Sequence, residues 1–278
     1  MRNPNHQLFD LCRHPKGSVE QMRQLLADGA DANFEVTTDW VEDDDLEAVV
    51  DCNHEVVLAD KSEMSPDFMI EGEEREYSML MVALEVGHSN EVISLLLEKG
   101  ADTEGPHTLE RHCEWAYTPL IIALQKKAPF EVIQTLLEFN ANAETIDGEN
   151  TPAMIAVLNY ASSEVYQTLL NAGSPYEGNW QEESVLTLGL AKNRTLKSLK
   201  PLIDSGRDEQ RSRPLLVCAE CTTKPDVFAA LLDEKYDYYA HESEEALNAV
   251  LTAARKNSAL KNHAVLQRLE EIIKEADR

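Results

Sequence analysis

The sequence predicts an all-α repeat solenoid: short helix–turn–helix units in series, one long acidic insertion near the start, and a helical pair closing the end. Three observations predict it. Leucine pairs recur before a Gly-Ala-like stop: Leu25-Leu26 before Gly29-Ala30, Leu96-Leu97 before Gly100-Ala101, Leu136-Leu137 before Asn140-Ala141, and Leu169-Leu170 before Gly173-Ser174. A second landmark precedes each unit's apolar pair at constant spacing: Ser78, Thr118, Thr151, Ser184 and Arg213 stand 19 residues before Leu97, Leu137, Leu170, Ile203 and Leu232. The steps between landmarks vary, at 40, 33, 33 and 29 residues. A constant unit with variable connectors is how stacked repeats absorb insertions.

The units fall at about 7–33, 78–105, 118–147, 151–178, 184–208 and 213–242. Each reads as two short helices. In the third, Pro119 opens the first helix at the position where its missing N–H does no harm, and Lys127-Ala128-Pro129 breaks it. Phe130 to Glu138 forms the second helix, with Val132, Ile133, Leu136 and Leu137 on one apolar stripe. The Gly or Asn after the leucine pair supplies the left-handed helix stop. Helices this short are unstable alone, so neighbouring units must bury their stripes. Pro201 falls within a second helix and is expected near its start or at a kink. Residues 244–277 predict the closing pair, Glu244 to Lys256 and Leu260 to Ala276.

Residues 34–77 break the period. They hold 16 Asp and Glu against Lys61 and Arg75, a net charge of −14 within a chain total of −26. Ala48-Val49-Val50 and Val56-Val57-Leu58 flank Asp51-Cys52-Asn53-His54-Glu55, which predicts a short β-hairpin. Asp43, Asp44, Asp45 and Glu47 are its candidate contacts for a basic ligand. The alternative is a solvated acidic loop.

These units resemble the ankyrin repeat, on the Thr-Pro-Leu opening at Thr118, the related Thr151-Pro152-Ala153, the helix–turn–helix, and the Leu-Leu-x-x-Gly-Ala close. The resemblance covers about residues 7–242, so the whole chain is expected to form one repeat domain with a helical cap. The family usually has His after Thr-Pro-Leu; here that position holds Met81, Ile121, Met154, Thr187 and Leu216. The resemblance implies a protein-binding module that presents finger tips and first helices to its partner. Carrying the ligand-facing positions across gives Glu74, Tyr77, Glu114, Trp115, Tyr117, Asp147, Trp180, Glu183 and Glu209 on fingers. It gives Glu85, Gln125, Leu158 and Asn159 on first helices. Aromatics among carboxylates suit a basic, partly apolar segment.

The charge points the same way. With 51 Asp and Glu against 25 Lys and Arg, the chain is poorly suited to nucleic acid or an anionic membrane surface, and suited to a basic protein. It is expected to be a monomer on its own. The five scattered cysteines and the absence of a long apolar run lead to the expectation of an intracellular protein, in cytoplasm or nucleus. A second reading is a bacterial or viral ankyrin-type effector docking a host protein by the same surface. An enzyme with a hidden site ranks below both. Cys218-x-x-Cys221 lacks the second ligand pair of a zinc site. His112-Cys113, adjacent in sequence, is a poor nucleophile–base pair, and Asp43-Asp44-Asp45 lacks the Gly and terminal Glu of a calcium loop. No catalytic residue, metal or cofactor is expected.

Overall fold

The computed structural model describes residues 3–40, 47–51, 56–58, 76–105, 118–146, 150–160, 162–178, 184–205, 214–233 and 244–276. They divide into two compact units, 1–147 and 148–278.

In the first unit, α1 (Pro4–Cys12) and α2 (Val19–Ala27) form one helix pair, α3 (Met79–Val86) and α4 (Asn90–Glu98) the next, and α5 (Pro119–Gln125) and α6 (Phe130–Glu138) the third. First helices pack on first helices, α1 on α3 on α5, and second helices on second helices, α2 on α4 on α6. This two-layer stacking is the repeat solenoid that the spacing predicts. The landmarks work as N-caps: Ser78 Oγ and Thr118 Oγ1 accept from the backbone N–H groups of Met81 and Ile121 at 3.4 and 3.3 Å. The leucine pairs end as predicted. The N–H of Ala30, Ala101 and Ala141 each donates to the carbonyl five residues back, Leu25, Leu96 and Leu136. That closure is possible because Gly29, Gly100 and Asn140 adopt positive φ, of 100°, 89° and 67°. On the α6 stripe Val132, Ile133 and Leu136 are buried but Leu137 is only half-buried.

Among the described residues the insertion contributes a four-stranded antiparallel sheet: β1 (Glu35–Trp40), β2 (Glu47–Asp51), β3 (Val56–Leu58) and β4 (Glu76–Ser78), in the order β3-β2-β1-β4. β2 and β3 fall on the two apolar triplets. β1 and β4 have no counterpart in the predicted hairpin: Val36 pairs across with Tyr77, and both are fully buried. Ser78 ends β4 and caps α3, so the strand feeds straight into the helix.

The second unit holds α7 (Pro152–Asn159) with α8 (Ser163–Asn171), α9 (Val185–Ala191) with α10 (Leu196–Ser205), α11 (Pro214–Cys221) with α12 (Pro225–Leu231), and the cap pair α13 (Glu244–Lys256) and α14 (Ala264–Ala276). Its rows are α7, α9, α11, α13 and α8, α10, α12, α14. The cap buries Leu247, Val250, Leu251, Ala254, Leu260, Val265, Leu269 and Ile273. Where the resemblance expects His, Met81, Ile121 and Met154 are buried core residues, and Thr187 instead builds a capping box with Ser184. Pro201 lies inside α10, away from its start.

Candidate protein-binding surface

In each unit the candidate surface begins at the C-terminal turns of the first helices, where the buried stripe gives way to exposed or half-buried side chains. Gln125 at the end of α5 is exposed, and Leu158 and Asn159 at the end of α7 are half-buried. Lys192, just past α9, and Glu220 and Cys221 on α11 are exposed as well.

How each first helix ends sets the shape of this surface. α3, α5 and α9 close on themselves: Gly87, Lys127 and Asn193 take positive φ, of 79°, 57° and 56°. The next N–H, of His88, Ala128 and Arg194, then donates to Ala83, Ala123 and Gly189. α7 has no such residue, since Tyr160 stays extended at φ −107°. Its last carbonyls are satisfied from the following repeat, where Arg194 donates through Nε to Val157 O at 3.0 Å and through Nη2 to Leu158 O at 2.6 Å. α1 is served likewise: His88 Nε2 donates to Cys12 O at 2.9 Å. α11 is served by the cap, with Asn257 Nδ2 donating to Ala219 O and Thr222 O, both at 2.9 Å.

The bases of the fingers in the first unit form a ladder. Asp31, Asp102 and Asn142 each accept through Oδ1 from the backbone N–H two residues on, at 2.8–2.9 Å. Each rung then accepts from the next. Asn5 Oδ1 takes the N–H of Asp31, Asn33 Oδ1 that of Asp102, and Glu104 Oε1 that of Asn142, at 2.8, 2.7 and 2.9 Å. Asn33 Nδ2 also donates to Gly100 O. These bonds fix where each finger leaves its repeat.

Two expected contact residues are corrected. Tyr77 is 0% exposed on β4, a core residue locked against Val36, because the insertion places a strand where a turn was expected. Glu85 is buried at the end of α3, and its Oε2 lies 2.6 Å from Lys126 Nζ of the next repeat. That carboxylate is engaged within the chain. Glu47 is the first residue of β2, in register with Trp40. Glu74, Glu114, Trp115, Tyr117, Asp147, Trp180, Glu183, Glu209, Asp43, Asp44 and Asp45 lie outside the described residues.

Between α11 and α13 an open groove of about 600 Å³ is lined by Leu216 and Glu220 from one helix and Asn248, Ala249, Thr252 and Lys256 from the other. Its signal was the run of small and polar residues at helical spacing on α13, which no apolar stripe explains. Cys218, close by, is wholly buried, and burial pushes its thiol up to about 12. A thiol so protonated is a core filler. No cluster of three or more metal-ligating side chains occurs among the described residues, and none of their helices is long and apolar enough to cross a membrane.

Residues 80–179, from α3 through α8, match the family model for ankyrin repeats, in three copies. That segment carries ankyrin repeats. No curated protein matches it in a sequence comparison. Ankyrin repeats are generally protein–protein interaction modules and are typically non-enzymatic. The matched segment includes Gln125, Leu158 and Asn159. The groove at α11 and α13 and strands β1 to β4 lie outside it.

Proposed function

We propose that this chain is a protein-binding module that takes a basic partner segment on the exposed ends of its first helices, in a reducing intracellular compartment. The observation that carries the reading is the exposure of those helix ends in repeats of a binding family. Gln125 and Glu220 are exposed directly after buried Leu124 and Ala219 of the same helices, and Lys192 and Cys221 are exposed as well. The net charge of −26 supports a basic partner, and the free thiols Cys12, Cys218 and Cys221 suit a reducing compartment. The partner reading disfavours nucleic acid and anionic lipid on the same electrostatic ground.

The test is capture of partners on the immobilised chain, followed by surface plasmon resonance with the purified partner. Association is expected to slow steeply as salt rises. Leu158→Arg and Glu220→Lys are expected to weaken binding severalfold, since each places a cation on the surface. A partner that is acidic, or one indifferent to both substitutions, overturns the reading.

A further inference from the structure

Helix α13 carries two faces. Leu247, Val250, Leu251 and Ala254 are buried in the core. On the other face Glu245, Asn248, Ala249, Thr252 and Lys256 recur at helical spacing along the groove beside α11. The side chains from Asn248 to Ala253 on this face are short, so α13 leaves the space unfilled. From α11 comes one large apolar side chain, the half-buried Leu216. The groove's lining lies wholly within the described residues.

One end of the groove is closed. Asn257 commits its amide to Ala219 O and Thr222 O, both at 2.9 Å, so the two helices end side by side there. From Glu245 to Lys256 the groove follows α13 for about 16 Å, at a rise of 1.5 Å per residue, or about three helical turns. Its polarity is uneven. Glu220 and Glu245 are exposed, and among the described residues neither is held in an ion pair. Lys256 is the one cation in the lining, and its neighbour Arg255 is engaged by Glu270 at 2.8 Å. Two carboxylates against one ammonium favour a cationic ligand. Between them Leu216, Ala249 and Ala253 offer an apolar floor.

We propose that this groove takes a short, basic amphipathic helix of a partner protein. The proposal rests on the reading above that the partner is basic, and adds its conformation and its seat. A helix satisfies its own backbone bonds, which matters here because the lining offers a ligand backbone little beyond Asn248 and Thr252 once Asn257 is committed. The small side chains of α13 let a third helix approach closely enough to set a ridge between α11 and α13. Leucines on that ridge would meet Leu216, Ala249 and Ala253, and lysines on its flanks would meet Glu220 and Glu245.

The experiment uses the full chain and three capped peptides. The first is the heptad Leu-Lys-Ala-Ala-Leu-Lys-Lys written twice, whose leucines fall on one helical stripe. The second has the same composition scrambled so that no stripe forms, and the third has every Lys replaced by Glu. Binding is read by fluorescence anisotropy, and amide hydrogen exchange is followed along residues 245–257. The first peptide is expected to bind, to gain helical circular dichroism and to slow exchange there. The scrambled peptide should bind about tenfold or more weakly, and the glutamate peptide should not bind. Ala249 is exposed, so Ala249→Gln and Ala249→Arg keep the fold while filling the groove, and each should weaken the first peptide about fivefold or more with the helical signal of the chain unchanged. Equal binding of the scrambled peptide overturns the proposal, because charge alone is then at work. Unchanged exchange at 245–257, or binding indifferent to both Ala249 substitutions, places the peptide elsewhere and also overturns it. A captured basic partner that is weakened by Leu158→Arg but untouched by either Ala249 substitution sinks the groove and spares the broader reading. A peptide that meets every expectation while the captured partner proves acidic sinks the broader reading and spares the groove.

Discussion

His88 and Arg194 occupy the same place in their repeats, ten residues after Ser78 and Ser184, and each reaches back to cap the first helix of the repeat before. They do it with different chemistry. Arg194 is a permanent cation with a planar fork, bonding two carbonyls at the negative end of a helix dipole. His88 is an imidazole, nearly all of it buried. Burial holds its pKa below 6.5, against the opposing pull of backbone bonds to Cys12, Leu11 and His14. One structural task is therefore pH-independent in the second unit and titratable in the first. Where the following repeat has no long donor at that place, as at Ala128, the preceding helix α3 closes on its own left-handed residue, Gly87.

The comparison can be broken or sharpened by substitution. The largest effects set its scale: Leu96→Ala and Leu169→Ala, both wholly buried in the repeats of His88 and of α7, should each cost about 2–5 kcal/mol in urea unfolding. Losses far below that would mean the repeat cores relax, and no clasp energy could be compared across them. Arg194→Ala should cost about 1–3 kcal/mol, since it leaves Val157 O and Leu158 O without their partner. Arg194→Lys should recover only part, having charge without the fork. Full recovery by lysine would show that the dipole matters and the geometry does not.

A smaller effect separates the clasps by pH. His88 has a folded-state pKa below its unfolded value of 6.5, so the unfolded chain takes up the proton first. Its contribution to stability is whole above 6.5 and is lost as pH falls from 6.5 through the lowered folded value. Urea midpoints at pH 8 and pH 5 should therefore drop less in His88→Asn than in the wild type. An equal drop in both would assign the pH dependence to other groups. Smallest is the helix-stop pair. Lys127→Gly, at φ 57°, should stabilise by up to about 1 kcal/mol. Tyr160→Gly, at φ −107°, should not stabilise at all. A gain at both would dissolve the distinction between helices that close themselves and helices closed by a neighbour.

What could be seen in advance follows from the range of each interaction. Helix starts were legible because Ser78, Thr118, Thr151 and Ser184 cap the residue three positions on, and helix stops because Gly29, Gly100, Asn140 and Gly173 act within the same turn. The clasps were not legible. In sequence Arg194 is only one cation near Lys192, Lys197 and Lys200, since nothing links it to carbonyls 36 and 37 residues earlier. Tyr77 and Glu85 were misjudged for the same reason. Each had the right repeat position for a ligand contact, but Tyr77 found a cross-strand partner and Glu85 found a lysine one repeat later.

The pairing of Glu35 with Ser78 has a consequence for how such a chain can change. β1 and β4 act as a stem: the polypeptide departs the helical array and returns at adjacent points, with the two ends zipped together. The mouth of the excursion is fixed by backbone bonds and by Val36 against Tyr77, so its width does not depend on the length of chain between the two strands. The stem is therefore a graft point. A foreign hairpin, a reporter domain or a longer acidic arm spliced beyond Trp40 and before Glu76 should leave the register from α1 to α3 untouched, and the same geometry lets this arm diversify freely while the array that carries it stays the same.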